Sequence, residues 1–469
     1  MKMPQMLWWA VLAGASMAAQ AVEFPLEVKE MSLQEALACP GGYGQTAMFM
    51  TGQKAASLRK VPKAVSQYPL VAEAQRRVVR NGKPTVEPGL LLSFDESQGT
   101  GRGYDRMILD LNHNGDLTDD PVFERLERQQ INTDGEIVSF GPVPLLAGDQ
   151  VGQWRPRLYV QMYVYERPGS KTRDAAYIGY ARIFAGNRLE TTVDVNGIKQ
   201  KFGVVDGNCN LRMGEPCTLQ KYRRLIEGKE TDTYYLDAGD YFLRDQGGSG
   251  KFERRVADHD AEPFSSLIYF GAKPYSAELT DDLKVIRFEP FSGAVGELRV
   301  KPEVIGLTLA WEQNKDQWIG FTPGVKEGKA VVPVGAYRVA NCTVGAKTPS
   351  GEWIRTATTD IKKDILKVSA SQAARLEYGN PLKMELTATK NLSGSASDSG
   401  MMGAVRGLFG SLAGTQSTLA MNVVIAGATG ERYSGFYKTG AGAATLDPPR
   451  FEVLDSAGQR LDSGNFAFG

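Results

Sequence analysis

The chain has 469 residues, with 54 basic and 54 acidic side chains. That balance leaves no electrostatic footprint for nucleic acid or an anionic membrane surface. Two histidines and no C-x-x-C pair also argue against zinc sites and histidine-based catalysis.

In chain order, Met1-Lys2-Met3-Pro4 precedes an apolar run from Leu7 to Ala13 and then small residues to Ala19-Gln20-Ala21. A cationic start, a short apolar core and an A-x-A ending are the pattern of a secretory signal peptide over 1–21. Cleavage would leave Val22 first, in a periplasm, in the medium or at a cell surface. Ala36-Leu37-Ala38-Cys39 loosely resembles a lipoprotein cleavage box, but Lys29, Glu30 and Glu35 stand where an apolar stretch is needed. Lipid anchoring is therefore not expected. The first apolar run is too short to span a bilayer, and no later segment is apolar enough.

The length suits roughly three domains of about 150 residues. Turn signals and composition divide the chain into 22–150, 151–290, 291–375 and 376–469. The fold class expected is mainly β: a β-rich N-terminal region with few helices, followed by two β-sandwich-like modules. Short alternating runs bounded by turn residues recur throughout. Little helix is expected, chiefly over Ser32 to Ala38 and Leu70 to Val79. Arg157 to Tyr165 reads as a strand, and Thr191 to Val195 and Ile198 to Val205 flank Asn196-Gly197. Asn-Gly accepts positive φ at both positions and so predicts a tight hairpin. A Gly/Ser-rich insertion over 391–416 contains Met401 to Phe409. It reads either as a mobile loop with a buttressing helix or as a helix that touches a partner or a membrane.

Two segments share one pattern, an apolar strand leading into D-x-N-x-N. The first is Asp110-Leu111-Asn112-His113-Asn114-Gly115-Asp116-Leu117-Thr118-Asp119-Asp120. Ca²⁺ takes six to eight hard oxygen ligands, and alternate side chains of a curling loop converge on one point. Asp110, Asn112 and Asn114 supply that alternation, Gly115 permits the sharp turn, and Leu117 faces the core. This segment resembles the calcium loop of EF-hand and dockerin-like proteins. The resemblance implies calcium ligands at Asp110, Asn112 and Asn114, a backbone carbonyl at Asp116, and a closing acid. Pro121 occupies the family's closing position, so Asp119 or Asp120 is expected to close the site. The second segment is Asp206-Gly207-Asn208-Cys209-Asn210, with Leu211 in place of the glycine and Glu215 as a closing candidate. It reads either as a cation loop or as one held by a Cys209–Cys217 bridge. Exported context permits disulfides, and Cys39 with Cys342 is a second conceivable pair.

Other chemistry is weakly signalled. His259 could orient Ser265, but no nucleophile elbow frames it. Asp237 and Asp240 could form a glycosidase pair or a plain turn between aromatic strands. Trp311 and Trp318 flank Asn314-Lys315-Asp316, a predicted hairpin turn, where they could stack on sugar or pack across strands. Val331 to Val339 carries P-x-G-x-Y-x-V and resembles a strand of immunoglobulin-like or carboxypeptidase-regulatory-like β-sandwiches. The function expected is a non-catalytic, calcium-stabilised extracytoplasmic module that binds a protein or glycan. The alternative is a secreted carboxylate-based hydrolase, a glycosidase or peptidase, with accessory sandwiches.

Overall fold

A computed structural model describes residues 21–465, apart from 41–42, 51–54, 81–82, 101–102, 133–134, 145–150, 167–176, 227–228, 238, 253–259, 316, 348–352, 359–360, 362–363, 393–416, 434–436, 440–449 and 455–456. The expected signal peptide (except Ala21), the core of the Gly/Ser-rich insertion and His259 lie outside the described residues.

The protein is mainly β, as expected. Its N-terminal part runs β1 (Val22–Pro25), β2 (Glu27–Glu30), α1 (Leu33–Ala38), β3 (Tyr43–Met50), β4 (Leu70–Arg80), β5 (Lys83–Asp95), β6 (Arg106–Leu109), β7 (Val122–Asn132), β8 (Gly135–Pro144), β9 (Arg157–Glu166) and β10 (Tyr177–Ala185). Strands β3 to β10 form one eight-stranded sheet in the order β3-β10-β9-β8-β7-β6-β5-β4. It crosses the division expected at residue 150. One face buries Phe49, Leu90, Leu92, Phe94, Met107, Leu109, Phe140 and Met162 against α1. The helix starts where Ser32 and Glu35 form a capping box, which satisfies two otherwise orphan N–H groups.

The segment from Leu70 to Val79 is strand β4, not the expected helix. Its Ala and Arg residues favour helix locally. However, Leu70, Ala72 and Ala74 alternate into the core at no more than 1% exposure, while ladder bonds to β5 run from Leu70–Phe94 to Arg80–Lys83. Burial at period two outweighs the propensity.

The middle part continues with β11 (Asn187–Val195), β12 (Ile198–Val205), β13 (Thr218–Ile226), β14 (Lys229–Asp237), β15 (Tyr241–Arg244), β16 (Ala261–Pro263), β17 (Leu267–Phe270), β18 (Lys273–Leu279) and β19 (Val285–Pro290). The β11–β12 hairpin turns at Asn196 and Gly197, with φ of 54° and 73°, as its dipeptide predicts. Two sheets, β16-β15-β12-β11-β2 and β1-β19-β18-β17, enclose a core of Phe202, Phe242, Phe270, Ile286, Phe288 and Trp154.

The C-terminal part contains β20 (Val295–Val300), β21 (Val304–Asn314), β22 (Gln317–Phe321), β23 (Lys329–Pro333), β24 (Gly335–Lys347) and β25 (Trp353–Ala357). Leu298, Val300, Ala330 and Val332 on β20 and β23 meet Leu307, Leu309, Tyr337 and Val339 on β21 and β24, a sandwich-like packing. The hairpin β13–β14 joins this larger sheet beside β22, and Tyr437–Thr439 joins it beside β25, so the sheet spans the divisions expected at 290 and 375. Trp318 is 9% exposed and packs with Leu219 and Ala310, the cross-strand use rather than an open stacking surface. Farther on, Lys383–Leu392 pairs with Ser417–Ala426, and Arg450–Leu454 with Arg460–Asn465.

Candidate functional site

Both D-x-N-x-N segments sit directly after a strand, and the two loops are built alike. In the first, Asp110 accepts the N–H of Asn114 at 3.2 Å and of Gly115 at 2.8 Å. In the second, Asp206 accepts the N–H of Asn210 at 3.2 Å and of Leu211 at 2.9 Å. The leading carboxylate thus holds the fifth and sixth backbone donors of its loop. A later acid holds the second: Asp120 accepts from Leu111 N at 3.0 Å, and Asp240 from Gly207 N at 3.3 Å. The fourth and sixth residues are left-handed in both loops, with φ of 56° and 76° at His113 and Gly115, and 49° and 73° at Cys209 and Leu211.

The same signature occurs again at Asp245, and its described part at Glu96, where the sequence reading finds nothing. Asp245 accepts from Ser249 N at 3.0 Å and Gly250 N at 2.6 Å, and Asp260 accepts from Gln246 N at 3.3 Å. Glu96 accepts from Thr100 N and Asp105 from Ser97 N, each at 2.8 Å. Gly248 and Gly99 supply the fourth-position turn, with φ of 65° and 67°. The four leading acids are 1–7% exposed. Loops 96–105 and 110–120 join β5, β6 and β7, and loops 206–240 and 245–260 join β12, β15 and β16. Each triplet of strands is contiguous in its sheet. One loop design therefore serves two three-strand units, and in the second unit the hairpin β13–β14 is inserted into the first loop.

The first loop is the one whose donors suit a cation. Asp119 Oδ2 lies 3.2 Å from the Asn112 amide nitrogen and 3.0 Å from that of Asn114, which brings Asp119 to the two asparagines. Asp120 Oδ2 is buried without a hydrogen-bond partner. Burial, opposed in part by the bond from Leu111 N, raises the Asp120 pKa, and the charges of Asp110, Asp119 and Asp116 raise it further. A buried carboxylate oxygen without a donor, set among other acids, is costly unless a cation compensates it. In this one respect the loop suits a hard-oxygen ion, for which Asp110, Asn112, Asn114, Asp119 and Asp120 are the candidate ligands; the Asn112 and Asn114 amide oxygens here accept the backbone N–H groups of Asn114 and Asp116. The Asp116 side chain faces elsewhere. It pairs with Lys60 at 2.6 Å and with Thr118, and the Lys60 bond holds its carboxyl down at about 2. Among the described residues no three His, Cys, Asp or Glu side chains come together as a metal-holding group, so Asp110, Asp119 and Asp120 do not converge on one point in this structure.

Segment 55–60 clamps this loop from outside. Gly115 O accepts from Arg59 N at 2.8 Å, and Leu117 N donates to Lys60 O at 3.1 Å. Leu117 is fully buried with Val71 and Leu91, the core-facing role expected of it. Gly115 is required twice over: its φ is +76°, and a Cβ would lie 2.4 Å from Ser57 O. Gly115→Ala should cost more than about 1 kcal/mol. Gly197→Ala, at φ +73° with nothing within 4 Å, should cost less. Melting curves of the two variants test the order, and an equal loss would remove the argument for the clamp.

In the second loop, Leu211 occupies the position where Gly115 stands in the first. Its backbone strain is on the order of 1–3 kcal/mol, and burying a leucine returns about 1.5–3 kcal/mol. Leu211 and Cys209 are at most 1% exposed in the core beneath the eight-stranded sheet, so the two terms roughly offset. Glu215 does not close this loop alone: it accepts from the Asn210 amide at 2.6 Å, while Asp240 holds Gly207, Gly214 and Glu215 N–H groups. Asp240 is fully buried, with burial first and Asp206 next raising its pKa. Burial also pushes Asp206 up to about 7.

The expected Cys209–Cys217 disulfide is absent: none of the four cysteines is in a disulfide, and all are buried. Cys209 Sγ lies 3.6 Å from Ile183 O and Cys217 Sγ 3.3 Å from Asp240 O, each thiol held against its own carbonyl. Ser265 is fully buried and bonds Leu267 in a local turn, so it is no accessible nucleophile. No helix among the described residues is long and apolar enough to cross a membrane. Comparison with protein-family models, with curated proteins and with solved structures finds no match.

Proposed function

We propose that this protein is a calcium-stabilised, extracytoplasmic β-protein that binds or scaffolds a protein or glycan and performs no catalysis. The observation that carries the calcium reading is Asp120 Oδ2, buried and without a donor at the closing position of the 110–120 loop. The signal-peptide pattern at the N-terminus supports export. The non-catalytic reading is supported by the burial of one acid: Asp240, half of the suggested glycosidase pair, is 0% exposed and serves as an acceptor for backbone N–H groups.

Calcium would neutralise the acids of the loop and order it. With few charged ligands the affinity should lie in the extracellular range, about 10⁻⁴ to 10⁻³ M. At 100 times the dissociation constant the stabilisation is about 2.7 kcal/mol. Chelator-stripped protein should therefore melt a few degrees higher when calcium is restored. Asp110→Ala should abolish the rise, and Asp281→Ala, on an exposed turn outside the loop, should preserve it. Identical melting without calcium and at about 100 mM, 100 times the weaker end of that range, would eliminate the calcium reading.

A further inference from the structure

We infer that Arg76 couples the first two loops, so that order in the 110–120 loop is transmitted to the 206–215 loop. Arg76 lies on β4 and is 6% exposed. Its Nε and Nη2 donate to Asn210 O at 3.1 and 3.0 Å. Its Nη1 lies 3.3 Å from His113 Nε2, and a guanidinium can only donate, so His113 accepts. One planar, rigid side chain thus holds the fourth residue of the first loop and the fifth residue of the second. Both residues belong to the stretch that each leading carboxylate organises, His113 beside the Asn114 N–H and Asn210 through its own N–H.

A second link runs alongside. Arg76 faces Glu87 across the β4–β5 ladder, with Nη2 at 3.8 Å from Glu87 Oε2. Glu87 Oε1 in turn pairs with Arg212 at 2.9 Å. Arg212 N donates to Asn210 Oδ1 at 2.9 Å, so Asn210 is reached from two sides. Opening of the first loop releases His113 and with it one of the anchors that orient the guanidinium. The planar fork cannot shift toward one loop without changing its angle to the other. Coupling of this kind acts through a shared, packed, buried group and needs no ion in the second loop.

The inference rests on the calcium reading only for its ion-dependent arm. The test is peptide-resolved hydrogen exchange of the full chain. In chelator, Asp110→Ala should speed exchange across 206–215 by at least about fivefold, the lower end of ordinary coupling between sites. In an Arg76→Met background the same change should leave 206–215 unaffected. If Arg76→Met does not fold, Arg76→Lys replaces it, because a lysine lacks the planar fork that reaches Asn210 O and His113 from separate nitrogens. Unchanged exchange in 206–215, or an equal change in both backgrounds, overturns the coupling. Calcium added to the wild type should slow exchange in both loops. Slowing confined to 110–120 overturns the coupling and leaves the calcium reading standing. Slowing in neither loop removes the calcium reading, and the chelator arm then decides the coupling by itself.

Discussion

Asp240→Ala should be among the most destabilising single changes in the protein, costing about 3 kcal/mol or more. The carboxylate is fully buried and accepts backbone N–H groups from Gly207 at 3.3 Å, Gly214 at 2.5 Å and Glu215 at 2.9 Å. Alanine leaves these donors without their acceptor, and a buried unsatisfied donor costs about 1–3 kcal/mol. Relief of the desolvated acid works in the other direction, but a proton can already relieve that charge, so the loss of acceptors wins. Asp240→Asn keeps one oxygen and should cost less. Denaturant unfolding of both variants decides the matter: equal midpoints for Asp240→Ala and the wild type would mean that these bonds contribute nothing.

Stability in chelator should rise as pH falls from about 7.5 to 5, opposite to the trend of a protein held by salt-bridged carboxylates. Burial pushes Asp206 up to about 7 and raises Asp240 in the same direction, against about 3.9 for an unfolded aspartate. Between those values the folded state holds protons that the unfolded chain has lost. Stability is then complete below the unfolded value and declines as pH rises through the folded one. A shift of one unit corresponds to 1.36 kcal/mol, so melting should move by several degrees across the window. Asp206→Asn, which keeps one acceptor oxygen and does not titrate, should flatten the slope. A wild-type protein that melts lower at pH 5 than at pH 7.5, with Asp206→Asn unchanged from it, would show that this pair is ionised at neutral pH.

What was legible in the sequence was what local chemistry alone decides. The Asn196-Gly197 hairpin, the short helix from Ser32 and the first acidic loop each depend on a few adjacent residues. Strand β4 was not legible, because its fate depends on pairing with β5 rather than on its own Ala and Arg content. The 206 loop was visible by its asparagines, but its closing acid, Asp240, lies beyond an inserted hairpin, and no spacing rule reaches that far. The loops at Glu96 and Asp245 were missed because glycine, serine, glutamine and threonine stand where asparagine was sought. A usable signal was present: a strand ending in an acid, followed by glycine three and five residues later, as in Glu96-Ser97-Gln98-Gly99-Thr100-Gly101 and Asp245-Gln246-Gly247-Gly248-Ser249-Gly250. The cysteines illustrate the reverse error. Short separation suggested a bridge, and the fold instead points Cys209 into one core and Cys217 toward Asp240.

Strand β1 bears on how the chain reaches this structure. Its ladder partner is β19, with Val22 opposite Phe288 and Pro25 opposite Val285, and Arg287 pairs with Glu23 across the same edge. β2 likewise waits for β11, where Glu30 meets Asn187. During synthesis or export from the N-terminus onward, these first strands emerge long before their partners. The backbone donors and acceptors of β2 stay open to water, or to other chains, until Asn187 to Glu190 have followed, and those of β1 until Val285 to Phe288 have. Closing so large a loop delays contact formation, and such non-local β pairing is slow. A chain halted before Val285 would present β1 as an unpaired edge, the kind of surface on which nascent β-proteins aggregate. The polar character of the strand, with Glu23 exposed and only Phe24 half-buried, suits a segment that must wait in solvent.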